Sequence, residues 1–331
     1  MSIRMAQYGT RHGHAAGKLQ SMIQNKDVEF VGIFEPDQKR RADLQAHDGT
    51  YRGQRWYDHA AEMLEDPTID VIASEGLNAE SLVQTEEIVH AGKHVWYDKP
   101  AGDDWTTWQR VVAMAREKKC HIQMGYMFRY HDGFCKISEW ARSGFLGHVF
   151  SIRAHMSTSI PLESREVISS HKGGIFYDLA GHMLDQVVWI LGRPVKTTGF
   201  FHNDTGDVPR FMDNTLGVFE YHNAMAFIDI AAMEPGPTAR RFEVYGTEGS
   251  AILLEPFEPG AEIRLALSEA RDGYKIGEQR VPVEVRGRQE TYDLELEAFI
   301  RTIQGQQTSD RPLEHELMVQ ETLLRTTQGL G

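Results

Sequence analysis

The feature that most constrains the fold is the regular alternation of strand-like and helix-like segments in the first 124 residues. Short apolar runs rich in β-branched and aromatic residues are each followed by a longer segment of helical periodicity. Strands are predicted at 3–8, 29–34, 70–73, 93–97 and 121–124, with a short one at 56–57. Helices are predicted at 14–25, 38–47, 59–65, 79–91 and 106–118. This alternation favours an α/β fold with a parallel, doubly wound sheet.

The second half of the chain has a different pattern, with many short alternating runs separated by turn residues. Strands are predicted at 148–158, 195–202, 214–222, 225–233, 241–245, 250–255, 262–268 and 280–285. Helices are predicted at 132–143, 174–191, 293–304 and 313–328. Strand runs joined by short turns are typical of antiparallel sheets. The chain is therefore predicted to have a dinucleotide-binding domain at 1–124 and an α+β domain with a large, mostly antiparallel open sheet at 125–331.

Two positions in the first half bear on dinucleotide binding. An acidic residue at the end of the second strand can hydrogen-bond ribose hydroxyls, and Glu35 stands at that position. A glycine turn after the first strand holds the pyrophosphate in such folds. Here Gly9 begins the turn, but Arg11 and His14 occupy the other two glycine positions, and Gly13 is one place out of step. The acid favours NAD over NADP, because a 2′-phosphate would meet like charge.

Three residues have the chemistry for proton transfer at a hydroxyl group. Asp178 and His182 are four residues apart, so a helix places both side chains on one face. A histidine can take the proton, and a carboxylate can fix its tautomer. Lys99, at the end of an apolar strand closed by a proline, can hold the oxygen. The same Asp–His spacing is also common in simple surface pairs.

Composition narrows the class of partner. The net charge of −13 and the pI near 5.6 disfavour nucleic acid and anionic membrane partners. The N-terminal residues lack an apolar signal-peptide core, and two cysteines suit a reducing cytoplasm. Although the chain has 15 histidines, none has a H-E-x-x-H or C-x-x-C spacing, so no metal site is expected. The histidines considered for a metal site were His12, His14, His155, His171 and His182.

Several motifs taken in order resemble those of the Gfo/Idh/MocA oxidoreductases, and the resemblance spans nearly the whole chain. The run AGKHVWYDKP, ending at Pro100, is similar to the family's A-G-K-H-V…E-K-P segment, with Asp98 in place of Glu. Gly173-Gly174, Asp178, His182 and Asp185 resemble its G-G…D-x-G-x-H-x-x-D helix, with an alanine at the inner glycine. The resemblance implies a Rossmann-like first domain.

The resemblance also implies roles for individual residues. Lys99, Asp178 and His182 are implied as catalytic, with His182 as general acid/base and Lys99 contacting the reacting hydroxyl. It implies that Tyr126, Arg129 and Lys172 bind substrate. The residues implied to bind NAD are Gly9, Thr10, Arg11, His12, Glu35, Asn78, Asp98 and Lys99. Asn78 stands where the family commonly has histidine, and Arg11 replaces a glycine, so the cofactor pose is open.

The function expected on these grounds is NAD-dependent oxidation or reduction of a secondary hydroxyl or ketone of a sugar, polyol or related cyclic compound. Two alternatives stay open. Some relatives retain NAD and use transient oxidation for glycoside cleavage, elimination or epimerisation, and others are non-catalytic sensors of sugar or dinucleotide. A homodimer or homotetramer is expected through the open sheet face, because 214–222 and 225–233 carry many apolar side chains.

Overall fold

The computed structural model describes residues 2–253 and 257–330, and these residues divide into two compact units. The first contains residues 1–126 and 288–317, and the second contains 127–287 and the residues from 318 onward. The change between units at 126 lies close to the division expected at 124. The C-terminal part differs from that expectation, because 288–317 joins the first unit instead of the second.

The first unit contains a five-stranded parallel sheet of strand order β2-β1-β3-β4-β5. Its strands are β1 (Ile3–Tyr8), β2 (Val28–Phe34), β3 (Val71–Ser74), β4 (His94–Tyr97) and β5 (Ile122–Met124). Its connecting helices are α1 (Ala15–Gln24), α2 (Gln38–Ala46), α3 (Ala60–Leu64), α4 (Ser81–His90) and α5 (Trp105–Lys118). The predicted α/β architecture is confirmed. The run at 56–57 forms only an isolated bridge from Trp56 to Ile33.

The helix α9 (Arg288–Ile303) belongs to the first unit because its apolar face completes that unit's core. Leu296, Phe299 and Ile300 are buried in one cluster with Leu19 and Met22 of α1. Burying such side chains removes apolar surface from water and stabilises the fold. The spacing of apolar residues predicts α9 as a helix. Its packing on α1 does not follow from that spacing, because α1 is distant in sequence.

The second unit contains an eight-stranded sheet of order β13-β12-β11-β10-β6-β9-β8-β7. Its strands are β6 (Val149–His155), β7 (Lys196–His202), β8 (Asn214–Glu220), β9 (Met225–Ala231), β10 (Arg241–Gly246), β11 (Gly249–Leu253), β12 (Glu262–Leu267) and β13 (Gly277–Pro282). Only the β6–β9 pairing is parallel among these strands. The predicted mostly antiparallel sheet is confirmed. The end of the strand predicted at 250–255 lies outside the described residues.

One face of this sheet is covered by helix α8 (Ile175–Leu191), which packs on β8 and β9. Alternate residues of these strands, such as Phe219 and Ile228, are buried, as expected for a sheet with one covered face. The remaining helices are α6 (Asp132–Arg142), α7 (Leu162–Ile168) and α10 (Leu313–Gln328), and the division between units falls within α10. The sequence analysis did not predict α7. Among the described helices, none has the length and apolar character needed to cross a bilayer.

Candidate active site

The carboxyl ends of the parallel strands meet at one edge of the first sheet. The last residues of β1, β2 and β3 are in register, with Tyr8 opposite both Phe34 and Ser74. The residues that immediately follow three of these strands are Gly9, Glu35 and Glu75, and Asp98 follows β4. In open α/β sheets, ligands bind at this edge. The strand register therefore brings together candidate residues of the first unit that are far apart in the sequence.

Gly9 makes the turn from β1 toward α1 in a backbone conformation that other residues rarely adopt. Its φ is +82°, and a Cβ at this position would lie 2.9 Å from the backbone nitrogen of Gly76. Its backbone nitrogen donates to the Phe34 carbonyl at 2.8 Å, and the His12 nitrogen donates to the Glu75 carbonyl at 3.0 Å. The turn is thus fixed against the ends of the neighbouring strands, and glycine is required for that close approach.

Glu35 is buried beside the turn, where polar groups surround its carboxylate. Thr10 Oγ1 donates to Glu35 Oε2 at 2.6 Å, and the Asp37 backbone nitrogen donates to Oε1 at 3.0 Å. Arg40, in the first turn of α2, donates from Nε to Thr10 Oγ1 and from Nη2 to the Thr10 carbonyl, both at 2.7 Å. Sequence reasoning missed Arg40, which was recognisable only as one of several basic residues in α2.

Arg11 and Asn78 are two residues near the turn that depart from the family pattern. The partly exposed Arg11 side chain forms an ion pair with Glu80 at 3.2 Å. Exposed pairs of this kind contribute little to stability. Asn78 is partly exposed in the segment between β3 and α4. The structure therefore brings Gly9, Thr10 and Glu35 together.

His12, His14, Lys18 and Glu75 surround the Asp98 carboxylate. Each histidine Nδ1 lies 3.1 Å from an Asp98 oxygen, and Lys18 Nζ lies 3.1 Å from Asp98 Oδ2 and 3.0 Å from Glu75 Oε1. Burial would raise the pKa of Asp98, but His12, His14 and Lys18 hold it well below its usual range. Burial lowers the pKa of His14 to about 4 and raises that of Glu75 to about 7. Sequence reasoning did not single out Lys18 or Glu75.

Lys99 directly follows this cluster and is itself buried, with 4% of its surface exposed. Its backbone nitrogen donates to Asp98 Oδ1 at 2.9 Å, and its peptide bond to Pro100 is cis. The Tyr126 side chain is also buried within the first unit. Asp98 therefore anchors the backbone at Lys99, which fixes where the lysine side chain leaves the strand end.

In the second unit, Asp178 and His182 lie one turn apart on α8, as their spacing predicts. His182 is buried and packs edge-on against Phe128, with ring centroids 5.2 Å apart, whereas Asp178 is partly exposed. Lys172 is exposed just before the helix. One face of α8 therefore presents the Asp178 carboxylate and the His182 ring, and the ring is held by packing against Phe128.

The two glycines before α8 have a role in packing. Gly174 has φ +52°, and the Ile175 backbone nitrogen donates to the Met212 carbonyl at 2.9 Å. A Cβ on Gly174 would collide with the backbone of Met212. Gly174 therefore allows close approach of the start of α8 to this neighbouring segment.

Arg129 and Asp185 form a buried ion pair at the next turn of α8. Arg129 Nε and Nη2 donate to the two Asp185 oxygens at 2.7 and 2.8 Å, and neither side chain has exposed surface. The guanidinium also stacks on Trp189, 3.7 Å from the ring centroid. Bidentate geometry and stacking suit arginine specifically. The pair links the segment after residue 126 to α8.

The parallel sheet, its glycine turn and the acid after β2 define a dinucleotide-binding class of fold. Family comparison agrees: residues 5–126 match the oxidoreductase family with NAD-binding Rossmann fold, and 134–252 match the GFO/IDH/MocA C-terminal domain. The chain belongs to the GFO/IDH/MocA oxidoreductase family.

Individual relatives are distant. The uncharacterized oxidoreductase YrbE of Bacillus subtilis is 27% identical over 197 residues, which cover 57% of each chain. The myo-inositol 2-dehydrogenase of Thermotoga maritima is 25% identical over 59% of this chain and 60% of its own length. The chain thus spans under two thirds of these curated relatives. A levoglucosan dehydrogenase solved with NADH and levoglucosan has a TM-score of 0.83 at 16% identity, covering 98% of this chain and 95% of that one.

Proposed function

We propose that the protein is an NAD-dependent oxidoreductase acting on a secondary hydroxyl or ketone of a sugar, polyol or related cyclic compound. The observation that carries this proposal is the pair Asp178 and His182 on one face of α8, with His182 buried against Phe128. A buried imidazole with a carboxylate one turn away suits proton transfer better than a solvated surface pair does. Relatives named as inositol and levoglucosan dehydrogenases support this substrate class.

In this mechanism the chain's residues handle the proton and the oxygen. His182 takes the hydroxyl proton during oxidation and returns it during reduction, while Asp178 favours the required imidazole tautomer. Lys99 holds the substrate oxygen as negative charge develops on it. Bound nicotinamide would supply hydride chemistry. Arg129 is assigned a positioning role, because its Nε and Nη2 both donate to the buried Asp185 carboxylate.

The residues at the sheet edge fit a dinucleotide. Gly9 would serve the pyrophosphate turn, with Thr10, Arg11 and His12, and Glu35 would hold the ribose hydroxyls. Asn78, Asp98 and Lys99 complete the proposed cofactor set. Because Glu35 has no exposed surface in this structure, contact with a ribose requires the groups around its carboxylate to move. The acidic group at this position supports NAD in preference to NADP.

We expect the protein to bind NAD more tightly than NADP and Glu35→Ala to narrow the difference. The carboxylate would repel a 2′-phosphate and accept hydrogen bonds from a 2′-hydroxyl. Its removal should therefore weaken the binding of NAD more than the binding of NADP. Calorimetric titration with each cofactor measures the ratio of the two dissociation constants. Glu29→Ala is the matched control, because Glu29 lies near the start of the same strand and pairs with Arg4. Equal affinities in the parent protein would contradict this assignment.

A retained cofactor would indicate the second enzyme class, in which transient oxidation drives cleavage, elimination or epimerisation. The ultraviolet spectrum of the freshly purified protein distinguishes the cases through nicotinamide absorbance. Incubation with NAD and a panel of sugars, inositols and glycosides then tests the main proposal. NADH formation with an added substrate supports a dehydrogenase. Absence of turnover and of product with every compound, despite saturable sugar binding, would favour a sensor.

We expect a homodimer or homotetramer formed through the open face of the eight-stranded sheet. Phe200 pairs with Leu216, and Val218 pairs with Phe227, which places four apolar residues on one face of three strands, where Asp229 stands opposite Leu216 and Thr198 opposite Val218. Phe200 is half exposed in the chain alone. Phe200→Asp combined with Phe227→Asp should give monomers by light scattering, whereas the exposed control Val285→Asp should not. A monomeric parent protein at micromolar concentration would refute this assembly. Cys120 and Cys135 form no disulfide, which supports a reducing compartment such as the cytoplasm.

A further inference from the structure

Two histidines and an aspartate converge beside the turn that follows β1. His12, His14 and Asp98 each offer one ligand atom, a ring nitrogen or a carboxylate oxygen, and these three atoms all lie within 4.8 Å of one another. We call these three residues the His12–His14–Asp98 cluster. All three side chains are largely buried, with exposed fractions of 10%, 16% and 2%. The expectation of no metal site rested on the absence of contiguous ligand motifs. Asp98 follows β4 and is distant in sequence from the two histidines, so no such motif could include it.

Protons alone do not satisfy the contacts of His12. Its Nδ1 lies 3.2 Å from the backbone nitrogen of His14, which is a donor, and 3.1 Å from Asp98 Oδ2, which is an acceptor. A neutral or charged imidazole nitrogen offers one in-plane position, which holds either a hydrogen or a lone pair. A hydrogen there opposes the His14 N–H, and a lone pair opposes the carboxylate. A cation between the nitrogen lone pair and the carboxylate would satisfy both of them, and the His14 N–H would then lack this acceptor, as it also does when a proton is bound there.

Glu75 provides an independent observation. Its side chain has no exposed surface, and its Oε2 accepts no hydrogen bond from any residue in 2–253 or 257–330. This oxygen lies 3.9 Å from His12 Nδ1. A buried carboxylate oxygen without a donor is costly unless a positive charge or a proton satisfies it. Glu75 therefore supplies a fourth oxygen or nitrogen donor directed at the cluster.

The donors match a tetrahedral divalent cation in type and spacing. Ligand atoms about 2.0–2.2 Å from a tetrahedral zinc ion lie about 3.4 Å from one another. Three separations are close to that value: His12 Nδ1 to Asp98 Oδ2 is 3.1 Å, His14 Nδ1 to Asp98 Oδ1 is 3.1 Å, and His12 Nδ1 to Glu75 Oε2 is 3.9 Å. We propose that His12, His14, Asp98 and Glu75 form a binding site for a divalent transition-metal ion of the zinc class. Imidazole and carboxylate ligands together suit this class.

The buried Lys18 defines the charge balance of the site. Its ammonium contacts Asp98 Oδ2 and Glu75 Oε1, and the Lys99 backbone nitrogen donates to Asp98 Oδ1. Each Asp98 oxygen keeps a second lone pair for the cation, and Glu75 Oε2 faces it without a donor among the described residues. With Asp98 and Glu75 both ionised, two carboxylates and one ammonium leave one negative charge, since the nearby Glu295 is paired with Arg311. A divalent ion changes this to one positive charge, so the lysine weakens binding relative to a site without it. The proposal goes beyond the oxidoreductase function, because metal binding here requires neither cofactor nor substrate.

Zinc binding by the full-length, chelator-treated protein without nucleotide tests this site. We expect calorimetry to show one Zn²⁺ per chain, and elemental analysis after desalting to recover it. His12→Ala and His14→Ala should each weaken Zn²⁺ binding by at least about 10–100-fold, the effect typical of losing even a supporting residue. His121→Ala is the matched control, because His94 and His121 also form a close pair in the first unit, with ring centroids 5.3 Å apart. The His121→Ala variant should bind Zn²⁺ as tightly as the parent protein does.

A second measurement keeps the test valid if a histidine variant fails to fold. Addition of Co²⁺ to the parent protein should produce the intense visible bands of a tetrahedral site, and Zn²⁺ should displace them. The proposal is overturned if the parent retains no stoichiometric Zn²⁺ and shows no such bands. It is also overturned if folded His12→Ala or His14→Ala, verified by circular dichroism, binds Zn²⁺ as tightly as the parent.

Discussion

His182→Ala is expected to lower kcat by about 10²–10⁴-fold while leaving NAD affinity nearly unchanged, because general acid–base catalysis is typically worth that factor. The interaction lost forms with the transferring proton, so kcat and kcat/KM should fall together. Steady-state kinetics with the best compound from the panel, and NAD titration in its absence, provide the two measurements. Turnover at the parent rate would show that the assigned mechanism is wrong even though the family is right.

His131→Ala is the matched control for this substitution. His131 is also buried in the second unit, and its ring lies 6.4 Å from that of Phe128. It caps α6 by accepting a hydrogen bond from the Gly133 backbone nitrogen, so its loss should reduce stability rather than turnover per folded enzyme. Lys99→Ala should also lose turnover, with some loss of cofactor affinity. A comparable loss of turnover in well-folded His131→Ala would contradict the role of His182 as the general acid/base.

Arg129→Met is expected to reduce the free energy of unfolding by about 3–5 kcal/mol, because it leaves the buried Asp185 carboxylate without its cation. Asp185 has no exposed surface through which water could replace the lost bonds. A loss of this size is a large part of the total stability of a typical domain. Urea unfolding followed by circular dichroism measures the change.

The double variant Arg129→Met/Asp185→Leu separates a structural pair from a substrate contact. Replacing both partners with apolar side chains should restore most of the lost stability, since no buried charge remains unpaired. The conservative Arg129→Lys should restore only part of it, because lysine cannot form the bidentate contact. If Arg129→Met instead unfolded like the parent but raised KM many-fold, Arg129 would contact substrate as the family resemblance implies.

Local sequence pattern was sufficient for most of the elements, with α7 and the run at 56–57 as exceptions, and for assigning the two sheets to separate parts of the chain. Strand runs such as 3–8 and helical runs such as 106–118 were predicted within one or two residues of β1 and α5. Hydrophobic periodicity is a local property, so it indicates secondary structure before any partner is known. The positions of Glu35 after β2, and of Asp178 and His182 on one helical face, follow from the same local geometry.

Tertiary structure alone decided which distant groups meet. Arg129 pairs with Asp185 56 residues later, Arg40 reaches Thr10 across 30 residues, and His14 meets Asp98 across 84. The same holds for α9, whose helical pattern was evident but whose place in the first unit was not. The sequence by itself determined the elements and the chemical types available at their ends, because backbone propensity and periodicity act over a few residues. The fold determined the partners, because burial forces distant charged groups into pairs that no local spacing records.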